Sequence, residues 1–349
     1  MWVYWGVFFL IIIFGSVFKY KLTKKSAWLF FLLWFALFFL AAFRAEGVDN
    51  DYANYLMTIK DKWGITEPSF YMISYVCYDL LGSTKLVFVV YALLSVSLLF
   101  LSLKKLTTFF FLSLAIYFST SYVVHDLNAI RAGVAVGFTF FAISYWIENK
   151  IPGTFFFLAL ATFFHISFAM FFIFFIFLKD NKKYLTFFTL LVPVAYIIYF
   201  IKIDALSLLL MIPIPQVQSM ALAYNEWNKD LVSTVNVFSV LVLIKLLIFI
   251  TLTIFKEPLS NKFKGFYLYY KMYSLGLFML IFLAALPGAA FRVSDMLWIS
   301  ECVLLPMLVV FINPRWVVTI LIIFLCLFMV WLNYVQSDFV RPYKFNFDL

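Results

Sequence analysis

The sequence predicts an all-α bundle of membrane-spanning helices, and three observations predict it. Of the 349 residues, 66% are hydrophobic and only 12% charged, with a mean hydropathy of +1.04, too apolar for the surface of a soluble domain. Apolar runs recur from end to end, separated by short polar clusters that leave no room for a separate soluble domain, so residues 1–349 read as a single integral membrane domain. The runs are long and do not alternate, which excludes a β-barrel and leaves helices as the way to satisfy every backbone amide in lipid. At about 20 residues per crossing, the chain has room for roughly ten to twelve helices, some short or re-entrant.

The opening "MWVYWGVFFLIIIFG" has no basic leading region and no small-residue cleavage site, and reads as a retained first span over residues 2–18. A second span covers 27–43. Between them "KYKLTKK" carries Lys19, Lys21, Lys24 and Lys25, which places that loop on the cytoplasmic side by the positive-inside rule. The stretch "FRAEGVDNDYANYL" is then outside. Residues 69–82 form an apolar run too short for a full crossing and are expected to be re-entrant. On that basis 86–103 runs inward to Lys104 and Lys105, 106–124 runs out to "HDLNAIR", and 132–147 returns to "ENK". The run 153–178 must then be a hairpin, or two short helices meeting near His165, if "KDNKK" is to be inside. The alternative lets both segments cross once and puts Arg131 inside.

Further along, residues 203–230 form the core of the largest outside loop, about 202–230, with "IPIPQVQS" and "NEWNKD". Lys256, Lys262, Lys264 and Lys271 mark an inside loop between spans near 232–255 and 272–287. By alternation "GAAFRVSD" is outside, Asn313 to Arg315 inside, and the tail outside.

The formal net charge of +9 sits in short lysine clusters between apolar runs, a topological signal rather than one for nucleic acid. Cys77, Cys302 and Cys326 lie inside apolar runs without metal-ligand spacing and read as packing residues. Lys245 and Glu301 each interrupt an apolar run and are expected to form a buried pair that fixes helix register.

The remaining charges gather on one side. Arg44, Glu46, Asp49, Glu67, His125, Arg131, His165 and Arg292 all fall at or just below the outer surface. Arginine near a span is costly and faces a partner or a wet cavity, and its fork of donors suits phosphate oxygens. Arg44, Arg131 and Arg292 are therefore the candidates for an anionic ligand. Each has a plain structural alternative: snorkelling at a span end for Arg44 and Arg292, or an Arg292–Asp295 pair three residues apart. Arg131 opens a helix, where the macrodipole disfavours a cation, which points to function. His165, in "TFFHISF", is by default a buried histidine, and under the hairpin topology sits at the tip. Asp49 and Asp51, in "DND", match a three-residue metal-binding pattern of glycosyltransferases, but no further carboxylate clusters with them in sequence and no metal is assigned.

Taken in order, "FRAEGVDNDYANY", "EPSFYMISYV", "NAIRAGVAVGF", "FFHISFAM" and "FRVSDMLWISECVLLP" resemble the EpsG/Wzy-type polysaccharide polymerases, over about residues 43–306. "GVDNDY" departs from the family's shorter spacing, leaving Asp49 and Asp51 as alternatives for its aspartate. The resemblance implies a bacterial inner-membrane enzyme, similar in architecture to the C-type membrane glycosyltransferases and independent of metals and cofactors. Such an enzyme polymerises undecaprenyl-pyrophosphate-linked repeat units at the periplasmic face, as for O-antigen or related surface polysaccharide, with a chain-length regulator as a possible partner. Arg44, Arg131 and Arg292 would then hold pyrophosphate. His165, Asp49 and Glu46 are candidates for the proton-accepting and catalytic roles, with His165 as the base. Asp51, Tyr52, Tyr55, Glu67 and His125 are candidates for the sugars, and Tyr224 and Trp227 offer further aromatic faces. The rival readings are a flippase of the same lipid-linked glycan, a polysaccharide–lipid ligase, and a structural membrane protein. A flippase is disfavoured by the absence of an internal repeat.

Overall fold

A computed structural model describes residues 1–62, 67–202 and 234–347 except 338, together with ten positions scattered through 208–226. Most of the expected outside loop at 202–230, with Tyr224 and Trp227, lies outside the described residues. The described chain is helical. Its first elements are α1 Trp2–Val17, α2 Ala27–Ala42, α3 Tyr52–Asp61, α4 Pro68–Ser74, α5 Thr84–Leu106, α6 Phe110–Tyr117, α7 Ile130–Ile147, α8 Ile151–Phe164 and α9 Met170–Phe177. They are followed by α10 Leu185–Ile201, α11 Val240–Ile254, α12 Lys256–Lys262, α13 Phe266–Phe282, α14 Pro287–Trp298, α15 Glu301–Leu308 and α16 Arg315–Val330.

Among the described residues, five helical segments are long and apolar enough to cross a membrane: Lys24–Ala42, Thr84–Leu106, Phe110–Asn128, Ile130–Ile147 and Arg315–Gln336. Six shorter apolar helices accompany them among the same residues. The chain divides into two compact units, residues 1–176 with 305–349, and residues 177–304. Apolar runs continue through both, so the sequence marks no boundary between them.

In the first unit the disputed middle of the chain resolves into a hairpin. Helix α8 stops at His165, whose backbone is extended, and a 3-10 turn over Ile166–Ala169 leads into α9. The Phe172 ring lies 5.8 Å from Phe155 and Phe175 lies 5.5 Å from Trp146, so α9 returns along α8 toward the end of α7. Lys105 reaches Glu148 at 3.3 Å, and the Phe111 amide donates to the Tyr20 carbonyl at 3.1 Å. The lysine-bearing turns therefore share one end of the unit, the arrangement expected of loops held on one side of a membrane.

Residues 68–80 are seven residues of α4 followed by a six-residue π-helix, Tyr75–Leu80. At about 1.5 Å per residue this segment falls well short of the about 30 Å hydrocarbon core. Wider π turns also replace α-helix over Phe118–Asn128 and Trp331–Gln336. At the other end of the unit the tail folds back on the opening stretch: Val340 pairs with Asp49 and Phe345 with Arg44 in isolated antiparallel bridges. The Ala45 amide donates to the Lys344 carbonyl at 2.9 Å. Tail and opening stretch share a side, as the alternation predicts.

In the second unit the Lys245 ammonium meets Glu301 at 2.5 Å with both side chains buried, the pair expected from their intrusion into apolar runs. Trp298 covers Lys245, its ring centroid 4.4 Å from Nζ. Lys271 is a correction. It is not a loop residue but sits fully buried in α13, which begins after Gly265 and takes in "FYLYY". Its ammonium donates to the Lys179 carbonyl at 2.8 Å, so a long side chain brings its charge to a polar turn while its stem stays in the helix.

Candidate functional site

The site is built around Glu67. "EP" starts a helix in the ordinary way: Glu67 is extended at the N-cap and Pro68 takes the first turn, where its missing N–H costs nothing. The Glu67 side chain is buried. One of its carboxylate oxygens lies 2.9 Å from His165 Nδ1, and the other accepts from the Arg131 guanidinium. Arg131 and His165 are each about a quarter exposed, at 25% and 23%, against 3% for Glu67. A buried carboxylate thus holds two cationic or proton-accepting groups whose outer edges remain reachable.

Each partner is delivered by a helix end. Arg131 lies in the first turn of α7, and His165 caps α8 where the hairpin turns. Gly133 lets α7 come close: a Cβ there would stand 2.8 Å from the His125 carbonyl oxygen. Behind Arg131, Tyr55 and Phe70 present their rings at 5.5 and 5.6 Å from its Cζ. Burial raises the Tyr55 hydroxyl above its ordinary pKa and Arg131 opposes this, so Tyr55 stays neutral. Ser69 and Tyr91 form a further layer, their hydroxyls 3.4 Å apart.

Arg44 stands differently from expectation. It is fully buried, and Nε meets Asp49 at 2.5 Å. One terminal nitrogen donates to the Ala41 carbonyl and the other to the Leu127 carbonyl at 2.7 Å. Its faces lie 5.5 and 5.1 Å from the Tyr52 and Phe88 rings. Burial works against this cation, and Asp49 more than restores it, leaving its pKa above the ordinary value. With its donors turned to backbone and Asp49, Arg44 acts as a clamp between the opening stretch and the end of the π segment rather than as a phosphate ligand. Asn128 adds to the same joint, accepting from the Asn50 amide at 3.2 Å and donating to the Phe339 carbonyl at 3.1 Å.

The other expected residues divide by exposure. Tyr52 is buried and stacked on Phe88 at 4.2 Å, and Tyr55 is buried beneath Arg131, so neither offers a free face to a sugar. His125 is buried too, and its ring nitrogens have no hydrogen-bond partner among the described residues. Asp49 is committed to Arg44, and its second oxygen accepts from the Asp51 amide at 3.1 Å. Glu46 is exposed and lines a cavity of about 280 Å³ with Tyr52, Lys60, Lys85 and Asn346. Lys85 escaped the sequence reading. It follows the turn "GST" inside an apolar run, and its ammonium caps the Arg44 carbonyl at 2.7 Å. Arg292 is exposed on α14 in the second unit.

No protein of curated function and no solved structure matches the chain. The family model that does match is that of the EpsG family, over residues 27–345, a span that includes Glu67, Arg131, His165 and the Arg44 clamp. This multi-pass membrane chain therefore belongs to the EpsG family, whose membership suggests a polysaccharide polymerase-like role.

Proposed function

We propose that the protein is a membrane glycosyltransferase that joins lipid-pyrophosphate-linked oligosaccharide units into a surface polysaccharide such as O-antigen, at the periplasmic face of the bacterial inner membrane. The observation that carries the proposal is the Glu67 carboxylate bridging Arg131 and His165 at the end of the first unit opposite its lysine clusters. In this reading the growing chain is the donor, held through undecaprenyl pyrophosphate, and a sugar hydroxyl of the next lipid-linked unit is the acceptor.

The acceptor oxygen attacks the anomeric carbon of the donor sugar, and the bond from that carbon to the pyrophosphate oxygen breaks. The leaving pyrophosphate takes the bonding pair. Arg131 faces the developing charge with a planar fork already oriented by Glu67, so little reorganisation is needed as the charge appears. Its Nε is buried, so the quarter of the side chain that stays exposed is what meets the ligand.

The hydroxyl proton passes to His165. With Nδ1–H donated to Glu67, the lone pair lies on Nε2, the tautomer a general base requires. Arg292, exposed on α14, is proposed in its own right to bind phosphate. Glu46, Asp51 and the small cavity beside Tyr52 and Lys85 are proposed to receive the acceptor sugar. Arg44 and Asp49 contribute by holding the opening stretch in place.

Purified protein in proteoliposomes, supplied with lipid-linked repeat units, tests the assignment. A polymerase yields a ladder of multiples on the lipid carrier. A flippase moves single units across the bilayer without lengthening them, and a ligase transfers finished chains only when a second lipid acceptor is added. Either of the latter outcomes without a ladder overturns the proposal.

A further inference from the structure

At the opposite end of the first unit lies a cavity of about 670 Å³, larger than the one near Glu46. It opens between the α1–α2 turn and the α5–α6 turn and is lined by Lys21, Lys24 and Lys104, by three threonines, and by Phe30 and Phe31. No carboxylate lines it. The neighbouring basic residues are compensated: Lys105 and Lys150 share Glu148, at 3.3 and 2.7 Å. Lys21, Lys24 and Lys104 have no carboxylate within ion-pair distance among the described residues. Lys21 instead leans over the Phe109 ring at 5.5 Å.

Three like charges gathered around one hollow repel one another unless an anion joins them. The lower wall is apolar and continues outward: Phe31 and Phe35, one helical turn apart on α2, are 65% and 54% exposed on a helix apolar enough to sit in lipid. A ligand suited to this shape carries negative charge at one end and hydrocarbon at the other.

We infer that this cavity is a binding site for the phosphodiester headgroup of an anionic phospholipid. The lysines and threonine hydroxyls surround the phosphate, and an acyl chain lies along the Phe30–Phe31 face. The site lies at the opposite end of the unit from the Glu67 cluster and is independent of the glycosyl transfer proposed above. Its occupant ties the α1–α2 turn to the α5–α6 turn.

Native mass spectrometry and thermal unfolding of the full chain in detergent, titrated with phosphatidylglycerol, test this inference. The cavity variant is Lys21→Gln/Lys24→Gln/Lys104→Gln. The control is Lys19→Gln/Lys25→Gln/Lys264→Gln, which removes the same charge at exposed positions that do not line the cavity. Each cavity lysine is expected to account for about a fivefold change in affinity, the weight of one basic residue near an anionic surface, and the three together for on the order of a hundredfold. The control is expected to bind within a few-fold of wild type. Equal losses in both variants would mean diffuse attraction without a site, and no loss in either would mean no site. Tight binding of glycerophosphoglycerol, the same headgroup without acyl chains, or of inorganic phosphate would mean that the occupant is a soluble phosphate. Any of these three results overturns the inference.

Discussion

Arg44 and Arg131 look alike in sequence, each beside the outer end of a span, and they differ in what their guanidinium groups are left to do. Arg44 is sealed among Asp49, two carbonyls and two rings, whereas Arg131 keeps an open edge. Removing Arg44 leaves Asp49 buried without its cation, a loss of about 3–5 kcal/mol. Arg44→Ala is therefore expected to lower the yield of folded protein, read by size-exclusion of a fluorescent fusion, with Arg44→Ala/Asp49→Ala recovering part of it. Arg131→Lys keeps a cation for Glu67 but gives up the planar fork, and is expected to fold at wild-type yield while polymer formation falls about tenfold or more. Exchanged phenotypes would reverse the two assignments. The sequence singled out both arginines but not this division, because burial depends on Leu127 and Phe88, far away along the chain. The same limit applies to Glu67, which stands out beside Pro68 but whose partner His165 is 98 residues away.

At the scale of elements, the apolar runs and lysine clusters made most spans legible, and the break near His165 was one of two alternatives, the one that an inside position of "KDNKK" requires. The π segments were not legible. A π turn differs from an α turn by one residue of hydrogen-bond register, and nothing in "FSTSYVVHDLN" specifies that register without its neighbours. One such neighbour is Asn333, which donates to the Ser119 carbonyl at 2.9 Å. The seat of α7 depends on the absence of a side chain at Gly133. Gly133→Val forces a contact with the His125 backbone and is expected to cost about 1–3 kcal/mol and to displace Arg131, two residues earlier. Its melting temperature and polymer yield should both fall. Gly6→Val, where nothing lies within 4 Å, should change neither. Equal behaviour of the two variants would show that close packing at Gly133 does not position the site.

For the whole molecule, the proposal requires that the end of the first unit bearing Glu67 face the periplasm and its lysine-bearing turns the cytoplasm. The three native cysteines are buried, so a cysteine-free background is a mild change. Single cysteines at Glu46, Arg341 and Phe291, all exposed, are expected to react with an impermeant maleimide from the periplasmic side. Single cysteines at Lys19 and Asn149, also exposed, should react only after the membrane is opened. Labelling at Glu46 from the side of Lys19 would contradict the orientation, and labelling at Phe291 from that side would withdraw Arg292 as a phosphate ligand.

The central claim is that His165, oriented by Glu67, takes the acceptor proton while Arg131 meets the leaving pyrophosphate. Single-turnover polymerisation by purified His165→Gln, measured beside lipid-linked substrate binding, tests it most directly. Glutamine can still hydrogen-bond to Glu67 but cannot accept the proton. Binding should stay within a few-fold of wild type while the rate falls about 10²- to 10⁴-fold, the usual worth of a general base. A glutamine variant that polymerises at near the wild-type rate would contradict the claim and move the base to another residue.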